Sequence, residues 1–283
     1  MTIAEALAAA AGRLEAAGVA EPRREAASLM SFALTRLHSF LVSHPEYELN
    51  PQEAAAFETV VTRREAREPF QHITRKQEFW GLEFAVEPGV LIPRPETEIL
   101  VEAAVEFLSG LCTPRFAEAG VGSGCISISI LYSVPNAAAI ATDVNEAALE
   151  LAARNAAEHH VDPRLELRRA DLFDGIDGEF DLVVSNPPYI PDADIPGLQA
   201  EVRDHEPRSA LAGGRDGLEI VRRIAADARH ILRSGGVLMI EIGQGQGAAV
   251  AELFDPLDWS RPEFYKDLQG IDRVVLARRL EAV

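Results

Sequence analysis

The 283-residue chain is 47% hydrophobic and 25% charged, with a formal net charge of -18, enough apolar side chain for a buried core and enough charge to stay dissolved. Its length exceeds the ~100–200 residues usual for one domain, so a full α/β domain with a smaller companion is expected. Residues 1–75 hold ten acids and eight bases while residues 76–283 hold 35 and 19, a balance that repels a phosphate backbone and argues against a direct nucleic-acid partner.

The opening MTIAEALAAAAGRLEAAG lacks the basic start and unbroken apolar run of a signal peptide. No stretch approaches the ~18 apolar residues of a membrane span. Cys112 and Cys125 are the only cysteines, too few for a disulfide framework or a paired-cysteine metal site. His38, His44, His72, His159, His160, His205 and His230 show no metal-ligand spacing. A cytoplasmic monomer with no membrane partner and no resident metal is the expectation.

From Ile3 to about Arg75 the signal is helical. Ile3, Leu7, Ala10, Leu14 and Ala17 make one apolar stripe, and Gly18 marks a stop. Pro22 suits a first helical turn, where no N–H is needed, and the helix it opens runs through Ala26, Leu29, Met30 and Ala33. Pro45 interrupts. Asn50-Pro51-Gln52-Glu53 then predicts a capped start, Asn50 on the free N–H groups and Glu53 reaching back, for a helix that ends by Pro69. Residues 76–92, KQEFWGLEFAVEPGVLI, switch from helical to strand period and predict a hairpin or extended connector. Beyond Pro95, strand-like runs at 115–119, 138–142, 180–185, 236–242 and 271–278 alternate with helical ones, which predicts a mainly parallel sheet covered by helices. The expected division is a helical bundle over 1–75, a linker over 76–93 and an α/β domain over 94–283.

Glu118-Ala119-Gly120-Val121-Gly122-Ser123-Gly124 follows an apolar strand and precedes the helical run Cys125 to Leu131. Glycines there let the backbone turn and approach a ligand, and the helix N-terminus behind them offers free N–H groups. A dinucleotide fold wants G-x-G-x-x-G, but Gly124 comes one residue early, giving E-x-G-x-G-x-G. Asp143 closes the next strand, where a carboxylate can accept both ribose hydroxyls of an adenosine. Together these fit S-adenosyl-L-methionine better than NAD. Asp171 and Leu172, after the third strand, read as neighbours of the adenine; Asp171 reads equally as an exposed loop aspartate.

Leu182-Val183-Val184-Ser185 is a buried strand ending in Asn186-Pro187-Pro188-Tyr189, at the carboxyl edge where open α/β folds place their ligands. Asn186 can accept a hydrogen from a target NH₂ through its side-chain oxygen, and the Pro187 carbonyl can take the other. The prolines hold the loop without a competing N–H, and Tyr189 offers a flat face to a planar amide or base. Elsewhere in a chain the tetrapeptide would read as a turn.

With Ile92-Pro93-Arg94-Pro95-Glu96-Thr97-Glu98, that tetrapeptide closely resembles the bacterial peptide chain release factor glutamine methyltransferases, the PrmC/HemK family. Gly122 to Ile126, Glu206-Pro207-Arg208 with Ala210-Leu211 and Gly213-Gly214, and Lys266-Asp267-Leu268 leading to Asp272-Arg273-Val274 match as well. The resemblance covers nearly the whole chain. It implies N5-methylation of the glutamine in the Gly-Gly-Gln motif of class 1 release factors, and a helical domain joined by a hairpin to a class I, Rossmann-like seven-stranded methyltransferase domain. Carried over by residue, Gly120 to Gly124 and Asp143 hold the cofactor and Asn186 to Tyr189 the target amide. Glu118-Ala119 stands where many members have Asp-Leu, Val121 where threonine is common, Leu172 where an aromatic is frequent, and His72 where tyrosine is. Glu118 keeps the carboxylate. Arg94 and Glu96 read as site-edge residues, or equally as part of a helix start. Alternatives carried with this reading are a ribosomal-protein glutamine methyltransferase, an adenine-N6 nucleic-acid methyltransferase and an idle cofactor-binding module.

Overall fold

The structure, a computed structural model, describes residues 1–281. The chain groups into two compact units, Met1–Lys76 with Gln199–His205, and Gln77–Leu198 with the chain from Glu206 onward.

The first unit carries α1 (Ile3–Ala16), α2 (Pro22–Leu34), α3 (His38–Ser43), α4 (Pro51–Glu65) and α5 (Phe70–Thr74). Thr2 and Asn50 cap α1 and α4 in full capping boxes with Glu5 and Glu53, each cap contributing about 1 kcal/mol. Pro22 is the first residue of α2. Ile3, Leu14, Leu29, Met30, Phe57, Val61 and Ile73 meet in one apolar core, which supplies most of the cohesion that helices of this length lack in isolation. His72 is 1% exposed and its Nε2 has no hydrogen-bond partner; burial holds its pKa below the usual histidine value.

The second unit opens on a hairpin of β1 (Lys76–Phe79) and β2 (Leu82–Ala85), turning through Trp80 and Gly81 at positive φ. Then come α6 (Glu98–Ser109), β3 (Arg115–Ala119), α7 (Cys125–Ser133), β4 (Ala138–Asp143), α8 (Glu146–Glu158), β5 (Leu165–Arg169) and β6 (Phe180–Ser185). After them run α9 (Ala200–His205), which belongs to the first unit, and then α10 (Glu219–Ile231), β7 (Leu232–Glu241), α11 (Gly247–Ala251), β8 (Glu263–Lys266) and β9 (Asp272–Arg278). The seven strands lie in the order β5-β4-β3-β6-β7-β9-β8. Pairing is parallel from β5 to β7, and β9 runs antiparallel to β7 and β8.

Strand residues alternate between two apolar layers, as a two-residue period demands. Phe116, Leu182, Val184 and Met239 pack with α6 and α7; Ala117, Val183, Leu238 and Ile240 pack with α10 and α11 on the other face. The chain winds outward from β3 through β4 to β5, then returns to β6 on the other flank of β3. That reversal opens a crevice above the carboxyl ends of β3 and β6.

Three details depart from the sequence reading. The helical unit takes in α9 from far along the chain: Glu201 accepts from Arg64 Nη2 at 2.9 Å and from Arg67 Nε at 2.8 Å. Burial opposes ionisation of Glu201, but those two arginines outweigh it and hold its carboxyl below the usual range. Strand β7 starts at Leu232, four residues before the expected run, running through Gly235-Gly236 beside an irregular register against β6. Strand β8, exposed at both ends, has too little apolar character to stand out in the sequence.

Candidate active site

The crevice is a cavity walled by the β3–α7 loop, the ends of β4 and β6, and the segments 89–97 and 207–210. Local chemistry builds each wall. The Gly120 and Val121 N–H groups both donate to the Thr142 carbonyl, at 2.8 and 2.9 Å, which ties the glycine loop to β4. Gly124 starts α7 at φ 84°; a Cβ there would stand 2.7 Å from Ile128 Cδ1 and 3.2 Å from Ala152 Cβ, so only glycine lets α7 and α8 close up behind the loop.

Two carboxylates meet the cavity in different ways. Asp143 accepts the Gly122 N–H on Oδ2 at 3.0 Å and the Asn145 N–H on Oδ1 at 2.8 Å. Both oxygens are thus oriented by backbone donors and keep lone pairs to spare. Glu118, fully buried in the cavity wall, accepts the Ser127 N–H at 3.1 Å and the Ser127 hydroxyl on Oε2, while Oε1 has no partner. Burial, opposed by the Ser127 hydrogen bonds, raises its pKa to about 8.

That shift has a consequence for stability. Between the unfolded value and about 8 the folded protein holds a proton on Glu118 that the unfolded chain has lost, so this contribution is full below the unfolded pKa and disappears as pH rises through the folded one. Glu118→Gln is therefore expected to flatten the fall in melting temperature of the cofactor-free protein between about pH 5 and about pH 8. Parallel pH profiles for variant and parent would contradict this.

Asn186 donates from Nδ2 to Thr97 Oγ1 at 3.1 Å, and both side chains line the cavity. The Tyr189 hydroxyl donates to Glu241 Oε1 at 3.4 Å, and the Tyr189 carbonyl accepts from Gln246 Nε2 at 2.9 Å. Glu241, 1% exposed, has its pKa raised to about 7, burial outweighing the hydrogen bonds from Thr97 and Tyr189. Burial, with Glu241 nearby, pushes the Tyr189 phenol up and keeps it protonated. Burial likewise pushes the Cys125 thiol up to about 12, so it is no nucleophile.

The cavity brings together Glu118, Gly120, Val121, Gly122, Ser123, Asp143, Asp171, Leu172, Arg94, Asn186 and Pro188. Gly124, Glu96, Pro187 and Tyr189 stand outside its wall: Gly124 is turned to α8, Glu96 is exposed and Tyr189 is turned to Glu241. Asp171 lines the cavity while exposed, and pairs with Arg223 at 2.9 Å. Leu172 sits at φ 53°, a strained position for a branched side chain, held by the Thr142 hydroxyl on its carbonyl at 2.7 Å. Arg94 Nη2 donates to both oxygens of buried Glu206 at 2.6 Å, tying the 89–97 segment to the loop that brings Pro207, Ser209 and Ala210 into the wall. Thr97, Glu241 and Gln246 were not singled out from sequence. For Glu241 a signal existed: like Glu118 and Asp143, it is an acid at the carboxyl end of a buried strand.

Comparisons with known proteins bear on the family and the fold. Residues 5–74 match the family model described as PrmC N-terminal domain, and residues 96–198 that described as Methyltransferase small domain. A release factor glutamine methyltransferase of Moorella thermoacetica is 42% identical over 283 residues, 99% of this chain and 100% of the relative. One of Cereibacter sphaeroides is 44% identical over 280 residues, 98% and 99% of the two chains. Among solved structures, the hMettl16 catalytic domain in complex with the MAT2A 3′UTR hairpin 6 superposes with a TM-score of 0.57 at 16% identity, covering 84% of this chain and 91% of that one; this is a likeness of fold.

Proposed function

Because the chain belongs to the family of release factor glutamine methyltransferases, we propose that its cavity binds S-adenosyl-L-methionine and that it methylates the side-chain N5 of the Gly-Gly-Gln glutamine in class 1 peptide chain release factors. The observation that carries the chemistry is the Asn186 carboxamide: its NH₂ is taken up by Thr97 at 3.1 Å, so its oxygen is left as an acceptor beside the cavity.

The residues fit the cofactor. Asp143, with both oxygens set by backbone N–H groups, suits a pair of ribose hydroxyls, and the unpartnered Oε1 of Glu118 suits an ammonium group. The glycine loop brings backbone close to whatever lies between them. When bound, the cofactor supplies a sulfonium-borne methyl group, an electrophile that calls for no metal. Asn186 Oδ1 and the Pro187 carbonyl then accept the two hydrogens of the target amide NH₂, which orients the nitrogen and makes its electrons more available. Tyr189 packs beside them as a neutral phenol. Positioning and fixed dipoles account for the catalysis; no strong base is placed at the site. The protein works in the cytoplasm as a monomer, on a protein and not on nucleic acid.

Asp143→Ala is expected to weaken S-adenosyl-L-methionine binding by about 10- to 100-fold, the loss of charge-assisted hydrogen bonds worth ~1–3 kcal/mol. An unchanged dissociation constant by calorimetry would remove Asp143 from the site. The substrate is tested by incubating the protein with labelled cofactor and, separately, release factor, ribosomal proteins and DNA. Label on release factor alone is expected. Label on ribosomal protein or DNA would move the substrate there, and binding without transfer would leave an idle cofactor-binding module.

A further inference from the structure

Asn155 stands in the third turn of α8, where asparagine is a weak helix former because its side chain competes for the backbone. Here the side chain leaves the helix. Asn155 is 2% exposed, and its carboxamide is fully used. Oδ1 accepts the Ala85 N–H at 2.9 Å, while Nδ2 donates to the Ala85 carbonyl at 3.1 Å and to the Ser123 carbonyl at 2.8 Å.

The two partners lead into different walls of the cavity. Ser123 lies in the glycine loop and is itself part of the wall. Ala85 ends β2, and the chain runs on from it to Gly89, Val90 and Leu91, which form another stretch of wall. Asn155 meets both backbone groups of Ala85, as an adjoining strand would, so it fixes that end of the segment in direction as well as in place. The far end is held by the cap of the same helix: Asn145 Nδ2 donates to the Gly89 carbonyl at 3.0 Å, and Val90 packs on Ala148 and Leu151 of α8. The two walls approach each other at Gly122, where a Cβ would stand 3.9 Å from Val90 Cγ1. Asn155 itself stands outside the cavity wall.

We propose that Asn155 is a positioning residue for the cofactor: it sets the glycine loop and the 85–91 segment at the spacing that receives S-adenosyl-L-methionine, an inference that rests on the methyltransferase reading given above. It acts on the cofactor and not on the target amide, because Asn186 follows β6 and is held by Thr97.

Asn155→Leu keeps a similar shape and removes all three bonds, leaving carbonyls of both walls without this donor. With release factor as substrate, well below the melting temperature, KM for S-adenosyl-L-methionine and its calorimetric Kd are expected to rise about 10- to 100-fold. At saturating cofactor, kcat and KM for release factor should stay close to the parent's. A role confined to stability would lower the melting temperature and leave Kd where it was. A parental Kd in the folded variant would therefore overturn the positioning role, as would a loss confined to kcat. Should Asn155→Leu fail to fold, Asn155→Ala, whose vacated space admits water to both carbonyls, is the second variant: Kd is expected to rise about 10-fold, and a parental Kd would overturn the role. A parent protein that binds no S-adenosyl-L-methionine would instead overturn the cofactor reading and this inference with it.

Discussion

Asn186→Ala is expected to lower methyl transfer to release factor by about 10³-fold, the upper range for loss of one preorganised polar group at a reacting centre, while cofactor affinity changes little. The side chain is held from behind by Thr97 at 3.1 Å, so alanine removes an acceptor already in place. Nothing nearby can substitute. Tyr189 is engaged with Glu241, and Pro187 and Pro188 bring no side-chain polar atom. The cofactor-side contacts assigned to Asp143 and Glu118 come from β3 and β4 and are untouched by the change. Single-turnover transfer and calorimetric titration of the same variant check both halves: parental transfer would end the acceptor role, and a large loss of affinity would move Asn186 into the cofactor's own contacts.

Gly213→Ala is expected to cost about 100-fold in transfer, the order of loss that follows a misplacement of ~1 Å in a reacting group. The reason is backbone against backbone. A Cβ at Gly213 would stand 2.7 Å from both the Pro188 and the Gly217 carbonyl oxygens, distances no methyl group occupies. Gly213 is also tied into the loop, its N–H donating to the Ile190 carbonyl at 2.9 Å and its carbonyl accepting from Glu219 at 3.0 Å. The substitution therefore displaces Pro188, two residues from Asn186, with no side chain free to yield. Cofactor affinity, proposed to rest on Asp143 and the glycine loop at the ends of β4 and β3, should change far less than the rate. A variant with parental kcat would mean that the loop absorbs the methyl group elsewhere and that Gly213 does not set its position.

The Asn50 cap and the buried parallel strands β3, β4, β6 and β7 were legible in the sequence because their signals are local. Asn50 and Glu53 lie three residues apart, and the buried strands β3, β4 and β6 show as short apolar runs. The same holds for the glycine loop, Asp143 and the Asn-Pro-Pro-Tyr turn, each tied to a strand end. What the sequence hid is non-local. Thr97 and Asn186 are 89 residues apart, Arg94 and Glu206 are 112 apart, and Arg67 and Glu201 are 134 apart; no period or spacing joins such pairs. Thr97 was visible only as one member of a motif, and its contact with Asn186 lies in no local pattern. What the sequence did not show for Tyr189 is where its hydroxyl goes, to Glu241, as a buried phenol needs a partner. Glu96 sits in the same charged segment as Arg94, but its turn leaves it outside the cavity while Arg94 reaches Glu206.

The measurement that tests the central claim most directly is peptide mapping by mass spectrometry of release factor after reaction with S-adenosyl-L-methionine, set beside a factor whose Gly-Gly-Gln glutamine is replaced. One added methyl group on that glutamine side chain, absent from the replaced factor, is the expected result; methyl on any other residue, or equal methylation of the replaced factor, would contradict the account.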